Sequence, residues 1–187
     1  RFTDKGLNMF TKEQQKALLK LARDSITSRF TGKPIPYPQD EAFRIKTGVF
    51  VTLNEKGELR GCIGYIRGYK DLVTSVAEMA QAAAFQDPRF PPVKEHELND
   101  IRIEISVLSD LYTVKDISEI VIGRDGLMIN HPYGSGLLLP QVPVEWHWDL
   151  PTFLRQLCYK AGLGPDSWKD KQAQLYRFTA EIFSEDE

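Results

Sequence analysis

The spacing of hydrophobic positions indicates a long helix near the start of the chain. Apolar residues recur at helical spacing from Leu18 to Ile26. The letters before them, TKEQ, form the capping-box pattern, in which Thr11 and Gln14 satisfy each other's main-chain amides. Gly32 can adopt the left-handed conformation that ends many helices. The pattern therefore predicts a helix that begins after Thr11 and ends at Gly32.

Four segments have the pattern of strands. GVFVTL (48–53) is rich in β-branched residues, the polar turn NEKG follows it, and ELRGCIGYI (58–66) resumes the strand pattern, which together predict a β-hairpin. IRIEISVL (101–108) alternates apolar and polar residues, as a half-buried strand does. The alternating segment LYRFTAEIF (175–183) predicts a further strand near the end of the chain.

Helices and a second hairpin are predicted between these strands. An alanine-rich helix is expected over 71–85, and its small side chains permit close contact with a sheet. EIVIGRDGLMIN (119–130) predicts a hairpin around RDG. A helix is expected to begin at Asp149, with Pro151 in its first turn. Strands joined by hairpins predict the α+β class, with a mixed or antiparallel sheet and packed helices.

Composition and charge narrow the class of protein. The chain has 187 residues, of which 42% are hydrophobic and 27% charged, as is ordinary for a globular protein. The net charge of −2 provides no overall positive field, which argues against nucleic-acid binding. No apolar run has the length of a membrane-spanning helix. The two cysteines, Cys62 and Cys158, do not make a disulfide framework, which favours a reducing, cytoplasmic setting.

The segment ELRGCIGYI carries the most specific candidate chemistry. Alternation along a strand places Arg60, Cys62 and Gly64 on a polar face. Gly64 would then leave a hollow beside the thiol of Cys62. Gly61 is expected to lie directly under the alanine-rich helix, because a missing side chain lets two backbones approach. The predicted core-facing set is Leu59, Gly61, Ile63 and Tyr65.

Cys62 and Arg60 are the candidate catalytic residues. A guanidinium about 6–7 Å away along the strand would lower the pKa of the thiol and favour the reactive thiolate. Arg60 would also bind an anionic group of a ligand. Two plainer interpretations stay open. Cys62 can pack as a small buried hydrophobe, and Arg60 can form a structural ion pair with Glu104 or Glu58.

Asp87, Arg89 and Glu104 join Gly61 and Gly64 as candidate ligand-binding residues. Asp87 and Arg89 belong to DPRF, a proline-fixed loop after the alanine-rich helix that is placed to close over the glycine strand. The alternative is a local Asp87–Arg89 ion pair that only stiffens the loop. Glu104 lies on the polar face of the strand predicted over 101–108.

Other motifs are weaker. EWHWD presents Glu145, His147 and Asp149 at alternate positions, but Asp149 is expected to cap a helix, and we predict no metal site there. His131 and Tyr133, in the turn HPYG, are secondary candidates for a ligand site. The G-x-G of GSGLLLP lacks the third glycine of a dinucleotide fingerprint, so no cofactor is assigned.

Several motifs in order carry a family resemblance. LRGCIG is preceded by GVFVTL and followed by DPRF, IEISVL, GRDGL, LLLPQV and FLRQLCYKAGL. Together they closely resemble the AMMECR-one (AMMECR1) domain family over about residues 11–184. The resemblance implies a single α+β domain with a larger and a smaller sub-lobe and a cleft between them. Residues 1–10 are expected to form an N-terminal extension. The family's signature falls on Leu59–Gly64.

The resemblance also bears on setting and partners. It implies a soluble intracellular protein. Relatives occur fused to or associated with Memo-like and radical-SAM proteins, which makes such proteins possible partners. Many relatives carry glycine at the position of His147, so no family role is assigned to that residue.

Three functional hypotheses follow from the residues and the resemblance. The first is a cleft-based enzyme or small-ligand binder, in which Arg60 contacts a small anionic ligand and Cys62 supplies a thiol. The second is a regulatory interaction domain that docks a partner protein on the same strand and cleft. The third, a nucleic-acid-associated factor, is weakened by the slightly negative charge.

Overall fold

The structure, a computed structural model, describes residues 8–186, so most of the predicted N-terminal extension lies outside the described residues. Helix α1 spans Lys12–Thr31 and has the predicted capping box. The Thr11 hydroxyl accepts the main-chain N–H of Gln14 at 3.2 Å, and the Gln14 side chain accepts that of Thr11 at 2.9 Å. Gly32 ends the helix with φ 68°, in the left-handed region. The predicted helix is confirmed at both ends.

The chain divides into two compact units, of which the first comprises residues 8–108 and 181–186. Its antiparallel sheet has the strand order β2-β1-β3-β8, so β2 is an edge strand. The register places Thr52 opposite both Cys62 and Glu104. The predicted hairpin and the strand over 101–108 are confirmed. The strands are β1 (Val49–Glu55), β2 (Glu58–Tyr65), β3 (Ile101–Leu108) and β8 (Ala180–Ser184).

Helix α2, Leu72–Phe85, packs on this sheet as its alanine content predicts. A methyl group at Gly61 would overlap the main-chain carbonyl oxygen of Ala83. Glycine is therefore required by the close approach of helix and strand. The expected position of Gly61 under α2 agrees with this contact. The core between the sheet and helices α1 and α2 is filled by residues such as Leu18, Ile26, Val51, Val76 and Ile103.

The second unit contains Ser109–Ala180. Its antiparallel sheet has the order β4-β7-β5-β6, and Phe153, Leu157 and Cys158 of helix α4 are buried in its core. Asp149 caps α4 by accepting the N–H of Thr152 at 2.9 Å, as predicted. The elements are β4 (Tyr112–Thr113), β5 (Gly126–His131), β6 (Gly134–Leu138), α3 (Gln141–Glu145), α4 (Leu150–Lys160) and β7 (Gln174–Phe178).

The hairpin predicted around RDG is wrong. The hairpin of this unit joins β5 to β6, and its turn lies at residues 131–134. The segment before β5 forms a 3₁₀ turn, Ile117–Glu119, and a compact loop. The fully buried carboxylate of Asp125 accepts the N–H of Val121 at 2.9 Å and thereby folds this segment as a loop. A carboxylate held in this way overrides the strand propensity of the apolar residues before it.

The last alternating segment forms two strands, β7 and β8, which belong to different sheets. The residue between them, Thr179, exchanges hydrogen bonds with Ser109: its carbonyl accepts the Ser109 N–H, and its own N–H donates to the Ser109 hydroxyl. The α+β class is confirmed, with two antiparallel sheets and four α-helices among residues 8–186. Within the described residues, no helix combines the length and apolar character needed to cross a membrane.

Candidate functional site

Cys62 lies in the middle of the edge strand β2, opposite Thr52 of β1. Its sulfur is 3.2 Å from the Thr52 hydroxyl, and its side chain is half-buried. On β3, the strand on the other side of β1, Glu104 also lies opposite Thr52. A thiol, a hydroxyl and a carboxylate therefore follow one another across three strands on one face of the sheet.

The DPRF loop binds the main chain of Cys62 through both of its charged side chains. The N–H of Cys62 donates to Asp87 Oδ2 at 3.0 Å, and Arg89 Nη2 donates to the Cys62 carbonyl oxygen at 3.3 Å. Arg89 also donates to both carboxylate oxygens of Asp87, at 3.0 and 2.8 Å. We call this arrangement of Asp87, Arg89 and the Cys62 main chain the edge clasp. The loop thus lies against β2, where the sequence placed it.

Burial differs sharply between the two side chains of the edge clasp. The Asp87 side chain is 2% exposed, whereas that of Arg89 is 48% exposed. Hydrogen bonds from the Arg89 guanidinium, the main causes, and from two main-chain amides lower the pKa of Asp87 to about 2. The same pairing raises the pKa of Arg89. Both groups are fully charged at neutral pH.

The thiol of Cys62 is not activated in this setting. Burial, the largest cause, raises its pKa above the ordinary value. The hydrogen bond to Thr52 and the charge of Arg89 oppose that shift, while the charges of Asp87 and Glu104 add to it. The thiol is therefore neutral at pH 7, contrary to the expectation of a pKa lowered by a nearby arginine. The arginine whose charge lowers the pKa of the thiol is Arg89.

Arg60 lies at a bulge and not in regular alternation. Leu53 pairs with Gly61 and Asn54 with Leu59, so Arg60 is the extra residue of β2. Because the alternation breaks there, the predicted core-facing set is only partly buried: Leu59 is 42% exposed. Arg60 itself is 8% exposed.

The guanidinium of Arg60 is held by groups that the sequence did not suggest. It donates to Glu97 at 2.9 and 3.2 Å and to the carbonyl oxygen of Pro91 at 2.8 Å. Glu55 lies 3.6 Å from its Nε, and its guanidinium lies over the ring of Phe90. The partners expected for a structural ion pair, Glu104 and Glu58, are thus replaced by Glu97 and Glu55.

The hollow expected at Gly64 is filled. A methyl group there would overlap the ring of Phe50 and the carbonyl oxygen of Val49. Gly64 therefore gives room to an aromatic side chain of the neighbouring strand. The prediction of an open space beside Cys62 made by this glycine is wrong.

Two residues of this region were missed from sequence. Thr52 is on the polar face of GVFVTL, and pairing the hairpin strands residue by residue would have placed it against Cys62. Glu97 gives no such signal, because it reaches Arg60 through a loop and the 3₁₀ turn Glu95–Glu97. Local patterns do not encode that contact.

The weaker candidates lie in the second unit. His131 is buried, and its Nδ1 accepts the N–H of Tyr133 at 3.2 Å, which leaves the proton on Nε2 to donate to Asp170 at 3.0 Å. Both nitrogens of His131 are thus engaged, while Tyr133 is 84% exposed. His147 has φ 55°, a left-handed conformation that favours glycine.

The fold and the clasped thiol define an α+β protein with two antiparallel four-stranded sheets and a cysteine at one sheet edge. A family model described as AMMECR1 matches residues 19–183, and the chain belongs to that family. A protein of Methanothermobacter thermautotrophicus is 44% identical over 185 residues, which cover 94% of this chain and 96% of the relative. A protein of Thermococcus onnurineus is 48% identical over 182 residues, which cover 90% of this chain and 89% of the relative.

A solved structure has the same fold. The crystal structure of the uncharacterized protein PH0010 from Pyrococcus horikoshii superposes with a TM-score of 0.89 at 42% sequence identity. The match covers 95% of this chain and 94% of that one. The likeness therefore extends over both units of the chain.

Proposed function

We propose that this AMMECR1-family protein binds a small ligand through an anionic group at the edge of β2, with Arg89 as the anion contact beside the thiol of Cys62. The observation that carries this proposal is the half-exposed guanidinium of Arg89, which is fixed in place by a buried carboxylate. Its Nη1 makes no hydrogen bond to any residue from 8 to 186. An immobilised arginine with a free edge is well suited to contact a carboxylate or phosphate.

The anion contact is assigned to Arg89 and not to Arg60 because of their different exposure. The Arg60 side chain is 10% exposed and is neutralised by Glu97 and Glu55. A ligand would have to displace a carboxylate from a nearly buried site, which costs several kcal/mol. Arg60 is proposed to position β2 against the DPRF loop, and the site comprises Cys62, Asp87, Arg89 and Glu104.

The neutral thiol favours binding over nucleophilic attack in the resting protein. A raised pKa leaves a small fraction of thiolate at pH 7. Docking of a partner protein by strand addition is disfavoured at this point of β2, because Asp87 and Arg89 already use the N–H and carbonyl groups of Cys62. These two features support a small ligand that approaches the exposed side of Arg89.

Alkylation of Cys62 by charged and neutral reagents tests the proposal. Iodoacetate is an anion and iodoacetamide is its neutral counterpart, and both react with the thiolate, so the ratio of their rates does not depend on the thiol pKa. We expect that ratio at Cys62, measured by mass spectrometry, to exceed the ratio for a cysteine-containing peptide several-fold. It should fall to the peptide value in Arg89→Gln.

Two controls make the result specific. Arg155→Gln changes an exposed arginine of the second unit and should leave the ratio unchanged. The double variant Asp87→Asn with Arg89→Gln removes both charges and guards against an effect of leaving the buried Asp87 unpaired. A ratio equal to that of the peptide, or one insensitive to Arg89, contradicts the proposal.

A further inference from the structure

The first unit has a concave surface whose lining does not include the residues around Cys62. It lies between the loop after α1, helix α2 and the end of β2, and its volume is about 370 Å³. That volume is within the range of small-molecule sites. We call it the tyrosine groove. Its lining includes Ile35, Tyr37, Tyr65, Glu78, Met79 and Gln81.

The rim of the tyrosine groove is aromatic and accessible. Tyr37 is 44% exposed and Tyr65 is 36% exposed. A third ring, that of Tyr69, stands nearly perpendicular to Tyr65, with an angle of 84° and a centroid separation of 5.7 Å. Faces of exposed aromatic rings attract organic cations through the ring quadrupole, and clusters of such rings bind ammonium groups.

The charge of the groove has the matching sign. Glu78 is the charged residue among the side chains that line it, and its carboxylate is 40% exposed. A lining of one carboxylate, aromatic rings and apolar side chains suits a ligand with a positive head and a hydrocarbon stem.

The protein's own Lys70 shows that the carboxylate accepts an alkylammonium group. Lys70 Nζ lies 2.7 Å from Glu78 Oε1 on a side chain that is 50% exposed. The hydrogen bond to Glu78, as the largest cause, and the nearby Tyr65 both raise the pKa of Lys70. An exposed lysine side chain is readily displaced, because the pair is solvated and holds little energy.

We propose that the tyrosine groove binds an alkylammonium ligand, whose ammonium replaces that of Lys70 on Glu78 and whose chain lies against Tyr65 and Tyr37. This proposal is independent of the ligand site at Cys62. The ammonium chemistry is shared by small polyamines and by lysine side chains of polypeptides.

Calorimetric titration of the full chain tests the proposal with two probes, spermidine and N-acetyl-lysine methylamide. Glu78→Gln should weaken binding several-fold, as expected for loss of a solvated charge pair. Tyr65→Leu should weaken it several-fold. Lys70→Met should tighten binding at least threefold, because the variant removes the internal competitor. The opposite signs expected for Glu78→Gln and Lys70→Met distinguish displacement from general surface attraction.

Matched substitutions at exposed positions outside the groove serve as controls: Glu58→Gln, Lys33→Met and Tyr159→Leu should change neither affinity nor stability. Binding of spermidine alone supports a small polyamine, and binding of the lysine derivative alone supports a polypeptide side chain. The proposal is overturned if neither probe binds the wild type or Lys70→Met, if Glu78→Gln binds as tightly as the wild type, or if Lys70→Met does not tighten binding. Glu78 and Lys70 lie on the surface, so these variants test the site even if Tyr65→Leu fails to fold.

Discussion

The edge clasp of the first unit has a close counterpart in the second unit. Arg124 donates from Nε and Nη2 to the two oxygens of Asp125, at 3.0 and 2.8 Å, as Arg89 does to Asp87. In both places the arginine also donates to a main-chain carbonyl, and the aspartate also accepts a main-chain N–H. Both aspartates are buried, and both arginines are about half exposed, at 48% and 46%.

The difference between the two clasps lies in what they hold. The pair Asp125–Arg124 binds the N–H of Val121 and the carbonyl of Glu119, and so closes a loop upon itself. The pair Asp87–Arg89 binds the two main-chain groups of one strand residue, Cys62. In this protein an aspartate–arginine clasp thus anchors a loop in each of the two units. Only the neighbouring thiol gives the first clasp a candidate role in ligand binding.

The largest effect is expected from Gly61→Ala, which displaces β2 and thereby weakens the edge clasp at Cys62. The added methyl group overlaps the Ala83 carbonyl, so β2 and α2 must move apart, at a cost of about 3 kcal/mol in the free energy of unfolding. Denaturant unfolding measures that cost. Amide hydrogen exchange should become faster at Cys62 and stay unchanged at Val121. Equal acceleration at both amides would show that the clasps are not independent.

Asp125→Ala is expected to cost about 2–3 kcal/mol. It leaves the N–H of Val121 without its acceptor and Arg124 without its carboxylate, and the half exposure of Arg124 reduces the penalty below that of a fully buried pair. Asp87→Ala should cost a similar amount and speed exchange at Cys62. If one of the two variants lost far less stability in the same unfolding experiment, the two clasps would differ in strength despite their shared geometry.

Acid should weaken the first clasp in a defined range of pH. The pKa of Asp87 is about 2 in the folded protein and 3.8 as its ordinary value. A lowered folded pKa gives stability that is present above pH 4 and is lost as the pH falls towards 2, in total about 2 kcal/mol. Asp87→Asn should lack this loss. Parallel stability curves for the wild type and Asp87→Asn between pH 5 and 2 would contradict the assignment.

The smallest effect is expected from His147→Gly in the second unit. His147 has φ 55°, which costs an L-residue about 1 kcal/mol, and glycine would remove that strain at the expense of a more flexible unfolded chain. The net gain should be under about 1 kcal/mol. Exchange at Cys62 should not respond. A clear loss of stability would show that the imidazole makes a contact worth more than the strain.

Local patterns predicted those parts of the fold that depend on near neighbours. The capping box at Thr11, the hairpin of β1 and β2, and the cap at Asp149 each follow from a few adjacent residues. The loop before β5 was mistaken for a strand because its conformation depends on the burial of Asp125. Burial of a charged residue is a property of the whole unit.

The candidate site was only partly predictable, for the same reason. Asp87, Arg89 and Cys62 do meet, as the position of the DPRF loop after α2 suggested. The position of the Arg60 side chain depends on a bulge and on the distant Glu97. The alternating pattern of β2 predicts neither of them. The two-residue alternation therefore identified the correct segment. It selected Arg60 instead of Arg89 as the arginine whose charge lowers the pKa of the Cys62 thiol.

The position of β8 in the first sheet has a consequence for how the chain is made. The strand comes from the end of the sequence but lies beside β3, and Glu185 just after it pairs with Arg23 and accepts the N–H of Ile103. Because the second unit lies between β3 and β8 in sequence, β3 lacks its neighbour until residues 180–184 have been made. Contacts so distant in sequence slow folding, and removal of residues 180–186 would leave one side of β3 without its neighbouring strand.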